Sequence, residues 1–351
     1  MSTDTVTASR QRSQALQTSI HDAPDRHRML TGDRPTGHLH IGHYLASLRN
    51  RVALQDAGVE SFVVIADYQV ITDREGVGAV HEHVLSLLTD YLAAGLDPAR
   101  STIFAHSAVP ELNQLMLPFL ALVTRSELER NPTVKEESAV SGRPVSGLLL
   151  TYPVHQAADI LFCHADVVPV GRDQLPHVEQ ARVIARRFNR RFAGGATVFR
   201  EPVALLTAQP LILGLDGQKM SKSRGNAIEL RASADETAAL IRAARTDAER
   251  RITYEPERRP AVANLIDIAS AFTGTPPQQL AADLDGQGAA ALKAVVIEAV
   301  NEGLRDLRQR RTALAADPGH LLQVLRAGNV AARAVAERTS RQVHQAMGMI
   351  Y

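Results

Sequence analysis

The stretch Thr31–Tyr44, TGDRPTGHLHIGHY, concentrates three glycines and three histidines in fourteen residues. Glycines such as Gly37 and Gly42 let the backbone turn tightly and let a ligand approach a helix N-terminus, where unpaired N–H groups attract anions. His40 and His43 are three residues apart, so they can lie on one side of that turn and donate hydrogen bonds to phosphoryl oxygens. The pattern favours a phosphate site, although a helix cap with surface histidines has the same spacing.

A second stretch, Lys219–Ser223 (KMSKS), follows the turn Asp216–Gly217 and precedes Arg224–Asn226. Two lysines three residues apart in a flexible loop can close over a polyphosphate, and a solvated basic loop has the same composition. The chain contains neither the GxxxxGK[ST] loop of the P-loop enzymes nor the GxGxxG dinucleotide fingerprint. We therefore expect a nucleotide site of another kind.

The elements that must position these stretches alternate between strands and helices. Apolar runs predict four strands, and helical spacing predicts a helix over 41–57 that ends at Gly58. The predicted strands are Ser61–Ala66, Ser101–Ala105, Asp166–Val170 and Pro202–Leu206. This alternation predicts an α/β fold, a Rossmann-like doubly wound parallel sheet.

From Ser233 the pattern changes. Ser233–Glu236 has the sequence of a capping box, and the rest is rich in Ala, Leu and Arg without a convincing strand. Breaks at Thr273–Pro277 and Asp317–Gly319 divide it into several helices. The sequence predicts a disordered tail over 1–28, a catalytic domain over 29–228 and an all-α domain over 229–351.

Composition limits the remaining classes. Thirty-nine basic and thirty-eight acidic residues give no general polyanion signal, so any RNA contact must be local. A single cysteine, Cys163, excludes an intrachain disulfide and a Cys-rich metal site, which suits the cytoplasm. Residues 1–28 lack a signal-peptide pattern, and the longest apolar run, Phe62–Ala66, is too short for a membrane span. We expect a cytoplasmic protein without a membrane partner.

Together, His40–His43 and Lys219–Ser223 resemble the two signatures of the class I aminoacyl-tRNA synthetases. Neighbouring segments are similar to the tryptophan branch of that class, and the resemblance runs from residue 29 to the C-terminus. These segments are Pro35–Gly37, Leu149–Pro153, Ala157–Ile160, Val168–Gly171 with Asp173 and Gln174, and Gln345–Gly348. The resemblance implies a tryptophan–tRNA ligase that forms tryptophanyl-adenylate from ATP and L-tryptophan, releases pyrophosphate and esterifies tRNA(Trp).

The resemblance also implies three groups of site residues. Those expected to act on the phosphates are His40, His43, Lys135, Lys219 and Lys222. Those expected to bind ATP are Arg34, Pro35, Thr36, Gly42, His43, Gly171, Arg172, Asp173, Leu211, Lys219, Met220, Ser221, Lys222 and Ser223. Those expected to bind tryptophan are Gln69, Tyr152, Gln156, Asp159, Val168, Val170 and Gln174.

Within the last group, the resemblance implies that the Asp159 carboxylate accepts the indole N–H of the substrate. It also implies that Tyr152 and Gln174 bind the substrate ammonium group and that Val168 and Val170 form apolar walls of the ring pocket. Apolar neighbours of Asp159 predict that its carboxylate is partly buried. Mg²⁺ is expected to arrive bound to the ATP phosphates, without a carboxylate cage. A homodimer and anticodon contacts by the helical domain are further implications.

Some positions depart from the common pattern of the branch. Gln69 stands where many relatives have histidine, and His155–Gln156 replaces an apolar pair near the ring pocket. Tyr152, Gln156 and Asp159 also fit the tyrosine branch, in which the carboxylate binds the phenolic hydroxyl. The tyrosine branch usually has Gly-Ser-Asp-Gln where this chain has Gly171-Arg172-Asp173-Gln174, so the tryptophan branch is favoured.

Two other classes remain open: a tryptophan or ATP sensor that does not charge tRNA, and a small-molecule nucleotidylyl transferase. The presence of both signatures argues against a sensor, and the helical C-terminal half argues against a transferase. For tRNA phosphates the sequence offers only a cluster of arginines, which would equally fit a solvated helix face. These are Arg305, Arg308, Arg310 and Arg311.

Overall fold

The computed structural model describes residues 3–72, 78–135, 144–206, 212–218, 220 and 225–351, and for 3–6 only the backbone. Its strands are β1 (Arg28–Asp33), β2 (Glu60–Ile65), β3 (Ser101–Ala105), β4 (Val167–Val170) and β5 (Val203–Leu206). Before β3 the helices are α1 (Thr3–Asp22), α2 (Ile41–His43), a π-helical turn (Tyr44–Leu48), α3 (Arg49–Ala57) and α4 (Val80–Ala94). After β3 come α5 (Glu111–Leu120), α6 (Arg125–Glu129), α7 (Gly147–Leu161) and α8 (Leu175–Phe192). Then follow α9 (Ala234–Ala243), α10 (Pro260–Thr273), α11 (Pro277–Asp283), α12 (Gly288–Ala315) and α13 (Pro318–Ala346).

The five strands form one parallel sheet in the order β3-β2-β1-β4-β5. The prediction of a doubly wound parallel sheet is confirmed. The chain leaves β1 on one side to form β2 and β3 and returns to the other side for β4 and β5, so the switch point lies between β1 and β4. In open α/β sheets, ligands bind beyond the carboxyl ends of the strands at such a point.

The central strand β1 was not among the predicted strands. Only Met29 and Leu30 give it an apolar core, and both side chains are buried. At Gly32 a Cβ atom would lie 2.1 Å from the carbonyl oxygen of Val64 on β2, so only glycine fits there. The sequence therefore does not show β1 as a strand, because Gly32, which allows the close packing on β2, takes the place of an apolar side chain.

The prediction of a disordered tail over 1–28 is wrong for the residues that the structure describes. Residues Thr3–Asp22 form α1, which packs on β5 through Leu16 and Ile20. Ser13 is also buried, and its hydroxyl accepts the backbone N–H of Leu206 at 2.9 Å. The helix was missed because small serines occupy part of its buried stripe and leave only weak amphipathic spacing.

The predicted helix after the phosphate stretch is confirmed, with a π-helical turn inside it. Helical backbone runs from Ile41 to Ala57, and Gly58 ends it in the left-handed conformation with φ 104°. The capping box at Ser233 is also confirmed: its hydroxyl accepts the N–H of Glu236 at 3.1 Å, and Glu236 accepts the N–H of Ser233 at 2.8 Å.

The described part of 229–351 is helical, with the predicted breaks after Thr273 and before Pro318. Its last helix, α13, returns to the sheet and packs on β3. There Asn329 accepts the N–H of Ala105 at 2.8 Å, and a Cβ atom on Gly328 would lie 1.8 Å from the carbonyl oxygen of Ile103. Ser13 and Asn329 thus each accept one backbone N–H from an edge strand of the sheet.

All four arginines of the α12 cluster bond to the protein itself, Arg305 through its exposed pair with Glu302 at 2.8 Å. Arg308 donates to Asn301 and Thr237, Arg310 donates to the carbonyl oxygen of Ala93, and Arg311 pairs with the buried Asp90 at 2.7 Å. The last two contacts join α12 to α4. Arg308 and Arg311 are therefore partly buried structural residues, while Arg305 and Arg310 are exposed. No helix among the described residues is long and apolar enough to cross a membrane.

Candidate active site

The candidate site lies where four parallel strands end. The turn that contains Arg34–Gly37 follows β1, and short 3-10 turns follow the next three strands along the chain. These turns are Asp67–Ile71 after β2, His106–Ala108 after β3 and Arg172–Gln174 after β4. Because the strands are parallel, all four turns meet at one edge of the sheet.

The two signature histidines lie at the start of α2. Their ring centroids are 3.7 Å apart, and the backbone N–H of His40 donates to Nδ1 of His43 at 3.3 Å. Since Nδ1 of His43 accepts, the proton of its neutral ring is on Nε2. His43 thereby presents an Nε2–H donor, the group that binding to a phosphate oxygen needs.

The second signature lies against the first. A Cβ atom on Gly42 would lie 3.0 Å from the His40 ring and 3.4 Å from Sδ of Met220, the second residue of the KMSKS stretch. Backbone hydrogen bonds join the segments that flank them: Ile41 N–H donates to the Ile228 carbonyl and Leu230 N–H to the Leu39 carbonyl, both at 2.9 Å. Met220 and the segment Ile228–Leu230, far from the first stretch in sequence, therefore pack against it.

A buried ion pair joins α3 to β1. Arg51 of α3 lies 2.6 Å from the Asp33 carboxylate, which also accepts the Tyr91 hydroxyl at 2.7 Å. Burial alone raises the pKa of Asp33, but the charge and hydrogen bond of Arg51 outweigh it and lower that pKa to about 2. Sequence reasoning missed Asp33 and Arg51, because an acid at a strand end and a helix arginine are common surface residues.

The turn after β4 faces the switch point from the other side. A Cβ atom on Gly171 would lie 2.6 Å from Oδ1 of Asp173, so the close turn requires glycine. Gln174 donates to Asp173 at 3.0 Å through Nε2, and Gly171 through Asp173 are exposed. The turn is therefore accessible to a ligand at the edge of the sheet where the resemblance implies that the adenosine binds.

Tyr152 lies between the segment that ends at Lys135 and the helix that follows Gln174. It packs with Val134, the residue before the exposed Lys135, and its hydroxyl lies 3.3 Å from Nε2 of His177. His177 follows Gln174 in the same segment, so Tyr152 and Gln174 border one region. Burial lowers the pKa of His177 to about 4, so this ring is neutral at physiological pH.

Asp159, the residue implied to bind the indole N–H, is buried as predicted, with 3% of its surface exposed. Its Oδ1 lies 2.8 Å from Nε2 of His106, and the His155 ring stacks on His106 with centroids 4.1 Å apart. Burial alone lowers the pKa of His106, but the Asp159 carboxylate, assisted by Asp67, raises it above the ordinary value. Burial lowers the pKa of His155 to about 4.

His106 and His155 with Asp159 are the only grouping of metal-ligand type among the described residues, with ligand atoms within 4.8 Å of one another. The two rings are nearly parallel, with 21° between their planes. A metal ion must lie in the plane of each coordinating imidazole, so these stacked rings cannot bind one ion as they stand. His106 has no counterpart among the predicted site residues, and only its position after a strand could have indicated it.

The other predicted residues lie as follows. Of the positions predicted for tryptophan, Gln69 and Val168 are buried and Gln156 and Val170 are half-buried; of those predicted for ATP, Arg34 is exposed, Pro35 buried and Thr36 half-buried. The predicted residues Leu211, Lys219, Ser221, Lys222 and Ser223 lie outside the described residues.

Comparison with known proteins agrees with this geometry. The family model described as tRNA synthetases class I (W and Y) matches residues 23–305. The tryptophan–tRNA ligase of Clostridium longisporum is 40% identical over 92% of this chain and 97% of its own, and that of Streptococcus pyogenes serotype M1 is 38% identical over 92% and 98%. The crystal structure of the tryptophanyl-tRNA synthetase from Campylobacter jejuni with ADP and tryptophan is 30% identical, with a TM-score of 0.78 over 92% of this chain and 99% of that one. The chain therefore belongs to the class I tRNA synthetases of the W and Y family.

Proposed function

We infer that this chain is a tryptophan–tRNA ligase, which activates L-tryptophan with ATP and transfers it to tRNA(Trp). The observation that carries this conclusion is the contact of Met220 with the Gly42 turn, which joins both phosphate signatures at the switch point. The tryptophan enzymes of two bacteria match at 38–40% identity over nearly their full length. Tryptophan is favoured over tyrosine because the tyrosyl enzyme of Archaeoglobus fulgidus matches at 26% identity with a TM-score of 0.64.

In the first step the carboxylate of tryptophan attacks the α-phosphorus of ATP, a new O–P bond forms, and pyrophosphate leaves with the electrons of the broken P–O bond. No side chain needs to take a proton, so catalysis consists of positioning and of neutralising charge on the phosphate oxygens. The Nε2–H of His43 is directed by the His40 N–H contact and is assigned to those oxygens. Lys219 and Lys222 are assigned to the leaving pyrophosphate from the adjoining loop, and Lys135 from the exposed segment beyond Tyr152.

The nucleotide is assigned to the open edge between Arg34–Thr36 and Gly171–Asp173, where the exposed residues Arg34 and Gly171–Asp173 leave room for adenosine and phosphates. Mg²⁺ accompanies the phosphates. The donor set fits this role: Asp33, at the end of β1, is already bound to Arg51 and Tyr91, which leaves no carboxylate cage among the described residues of that turn.

Tryptophan is assigned to the space beside Asp159, with Tyr152 and Gln174 at its ammonium group and Gln69, Gln156, Val168 and Val170 around the ring. A buried carboxylate must have a donor, and the indole N–H supplies one that phenylalanine lacks. The helical residues 229–351 are assigned to the anticodon end of tRNA(Trp), and the active form to a homodimer in the cytoplasm.

Aminoacylation of a tRNA(Trp) transcript with radiolabelled tryptophan tests the proposal, with Lys222→Ala and the surface variant His320→Gln in parallel. We expect charging by the wild type and by His320→Gln, with a loss of at least about 100-fold in Lys222→Ala because one charge on the leaving phosphates is removed. Binding of tryptophan without charging would instead identify a sensor. Transfer of the nucleotide to a small molecule would identify a nucleotidylyl transferase.

A further inference from the structure

The stacked pair His106 and His155 beside Asp159 has no role in the mechanism above. We propose that His106 is a positioning residue of the tryptophan pocket: its 2.8 Å contact with Oδ1 fixes the Asp159 carboxylate in the orientation that accepts the indole N–H and so discriminates against rings without that donor. This inference depends on the proposed function, because it assumes that the indole ring lies against Asp159.

The contact of His106 with Asp159 leaves the carboxylate able to accept another donor. Nε2 of His106 and Oδ1 of Asp159 are 2.8 Å apart, a hydrogen-bond distance, although the pair lacks good hydrogen-bond geometry. A carboxylate has about four acceptor positions, so one contact at Oδ1 leaves positions for an N–H donor.

The contact is made away from solvent. Asp159 is 3% exposed and His106 is 1% exposed. Removal of the imidazole therefore leaves the carboxylate without the group that fixes its orientation, and the selectivity of the pocket depends on this neighbour.

Two elements contribute the other titratable groups around His106. From the turn after β2 come Asp67, whose carboxylate accepts the N–H and hydroxyl of Ser107, and Tyr68, whose ring centroid is 5.7 Å away. From α7 come Asp159 and the neutral His155, whose ring face covers His106 at 4.1 Å. An uncharged ring over a cation stabilises it without competing for Asp159. The two carboxylates favour the protonated form of His106.

The test is ATP–pyrophosphate exchange with tryptophan and with β-(benzothiophen-3-yl)alanine, in which sulfur replaces the indole N–H. The variants are His106→Leu, which removes the cation, His106→Gln, which keeps a neutral donor, and the exposed control His320→Gln. In the wild type, an unpaired buried acceptor should favour tryptophan by about 5- to 150-fold in kcat/KM. We expect this ratio to fall to less than about 3-fold in His106→Leu, to recover in part in His106→Gln and to stay unchanged in the control.

The pH profile separates positioning from packing. In the wild type the preference for tryptophan should fall as pH rises through the raised pKa of His106, because the neutral imidazole then holds the Asp159 carboxylate less strongly. In His106→Gln the preference should not change over that range. An equal loss with both amino acids in His106→Leu, or the same pH dependence in His106→Gln, would overturn the proposal, as would micromolar inhibition by Zn²⁺ that His106→Leu abolishes. Wild-type protein without tryptophan-dependent exchange would instead remove the proposed function itself.

Discussion

Replacement of Arg51 by methionine tests the buried ion pair that joins α3 to Asp33 at the end of β1. Arg51 is 3% exposed, and Met retains most of its length without its charge. Removal of one partner of a buried pair leaves the other charge uncompensated, which destabilises by about 3–5 kcal/mol. The structure favours the lower end, because the Asp33 side chain is 24% exposed and still accepts from Tyr91.

The depressed pKa of Asp33 gives a second measure of the same contribution. A shift from 3.8 to about 2 corresponds to about 2–3 kcal/mol of folding free energy. Because the folded pKa is lower than the unfolded one, this contribution is fully present above pH 3.8 and is lost as pH falls through 2. In Arg51→Met, burial raises the pKa of Asp33 instead, so the deficit of the variant should shrink as pH falls from 7 to 4.5.

The assay is urea unfolding followed by circular dichroism at both pH values, with Asp33→Asn and the double variant completing a cycle. Arg305→Met is the matched control, since its pair with Glu302 is 67% and 61% exposed and should contribute less than about 0.5 kcal/mol. A deficit for Arg51→Met no larger than that of the control would refute the reasoning. So would a deficit that does not change with pH.

Three further predictions follow from close contacts and buried rings. Gly42→Ala should lower kcat for ATP–pyrophosphate exchange at least about tenfold, because its Cβ would lie 3.0 Å from the His40 ring. Gly147→Ala, where a Cβ would meet open space, should leave kcat unchanged. Equal kcat values for the two variants would contradict this prediction. Gly328→Ala should lower the free energy of unfolding by more than about 3 kcal/mol, since its Cβ would lie 1.8 Å from the Ile103 carbonyl, and a cost below 1 kcal/mol in urea would argue against this packing of α13. Burial lowers the pKa of folded His177 to about 4, so the stability that this residue contributes above pH 6.5 should be lost as pH falls toward 4. His177→Gln should flatten the dependence of the urea midpoint on pH in that range. A pH dependence that is the same in the variant and the wild type would exclude His177 as its cause.

The sequence predicted the sheet where apolar runs were strong. Strands β2 to β5 and the helix ending at Gly58 follow from β-branched runs and a left-handed cap, which are local properties. Strand β1 and helix α1 could not be predicted in the same way. In β1 the close approach of Gly32 to β2 replaces side-chain packing, and in α1 the buried Ser13 fills a position where an apolar residue would have given the signal.

The site was predictable to the extent that its residues lie in motifs. His40, His43 and Met220 come together as the joint signatures imply, and Asp159 is buried as its apolar neighbours indicate. Asp33, Arg51 and His106 were missed because their roles depend on partners 18 and 53 residues away in the chain, which only the fold brings into contact.

The central claim is that this chain activates tryptophan at the edge shared by the two signatures. The most direct measurement is amino-acid-dependent ATP–pyrophosphate exchange with tryptophan and tyrosine in parallel, on the wild type and on Asp159→Asn. We expect exchange with tryptophan alone in the wild type, and a rise in KM for tryptophan of about 10- to 100-fold in the variant with little change in KM for ATP. Exchange that is supported by tyrosine, or that is unaffected by Asp159→Asn, would contradict the account.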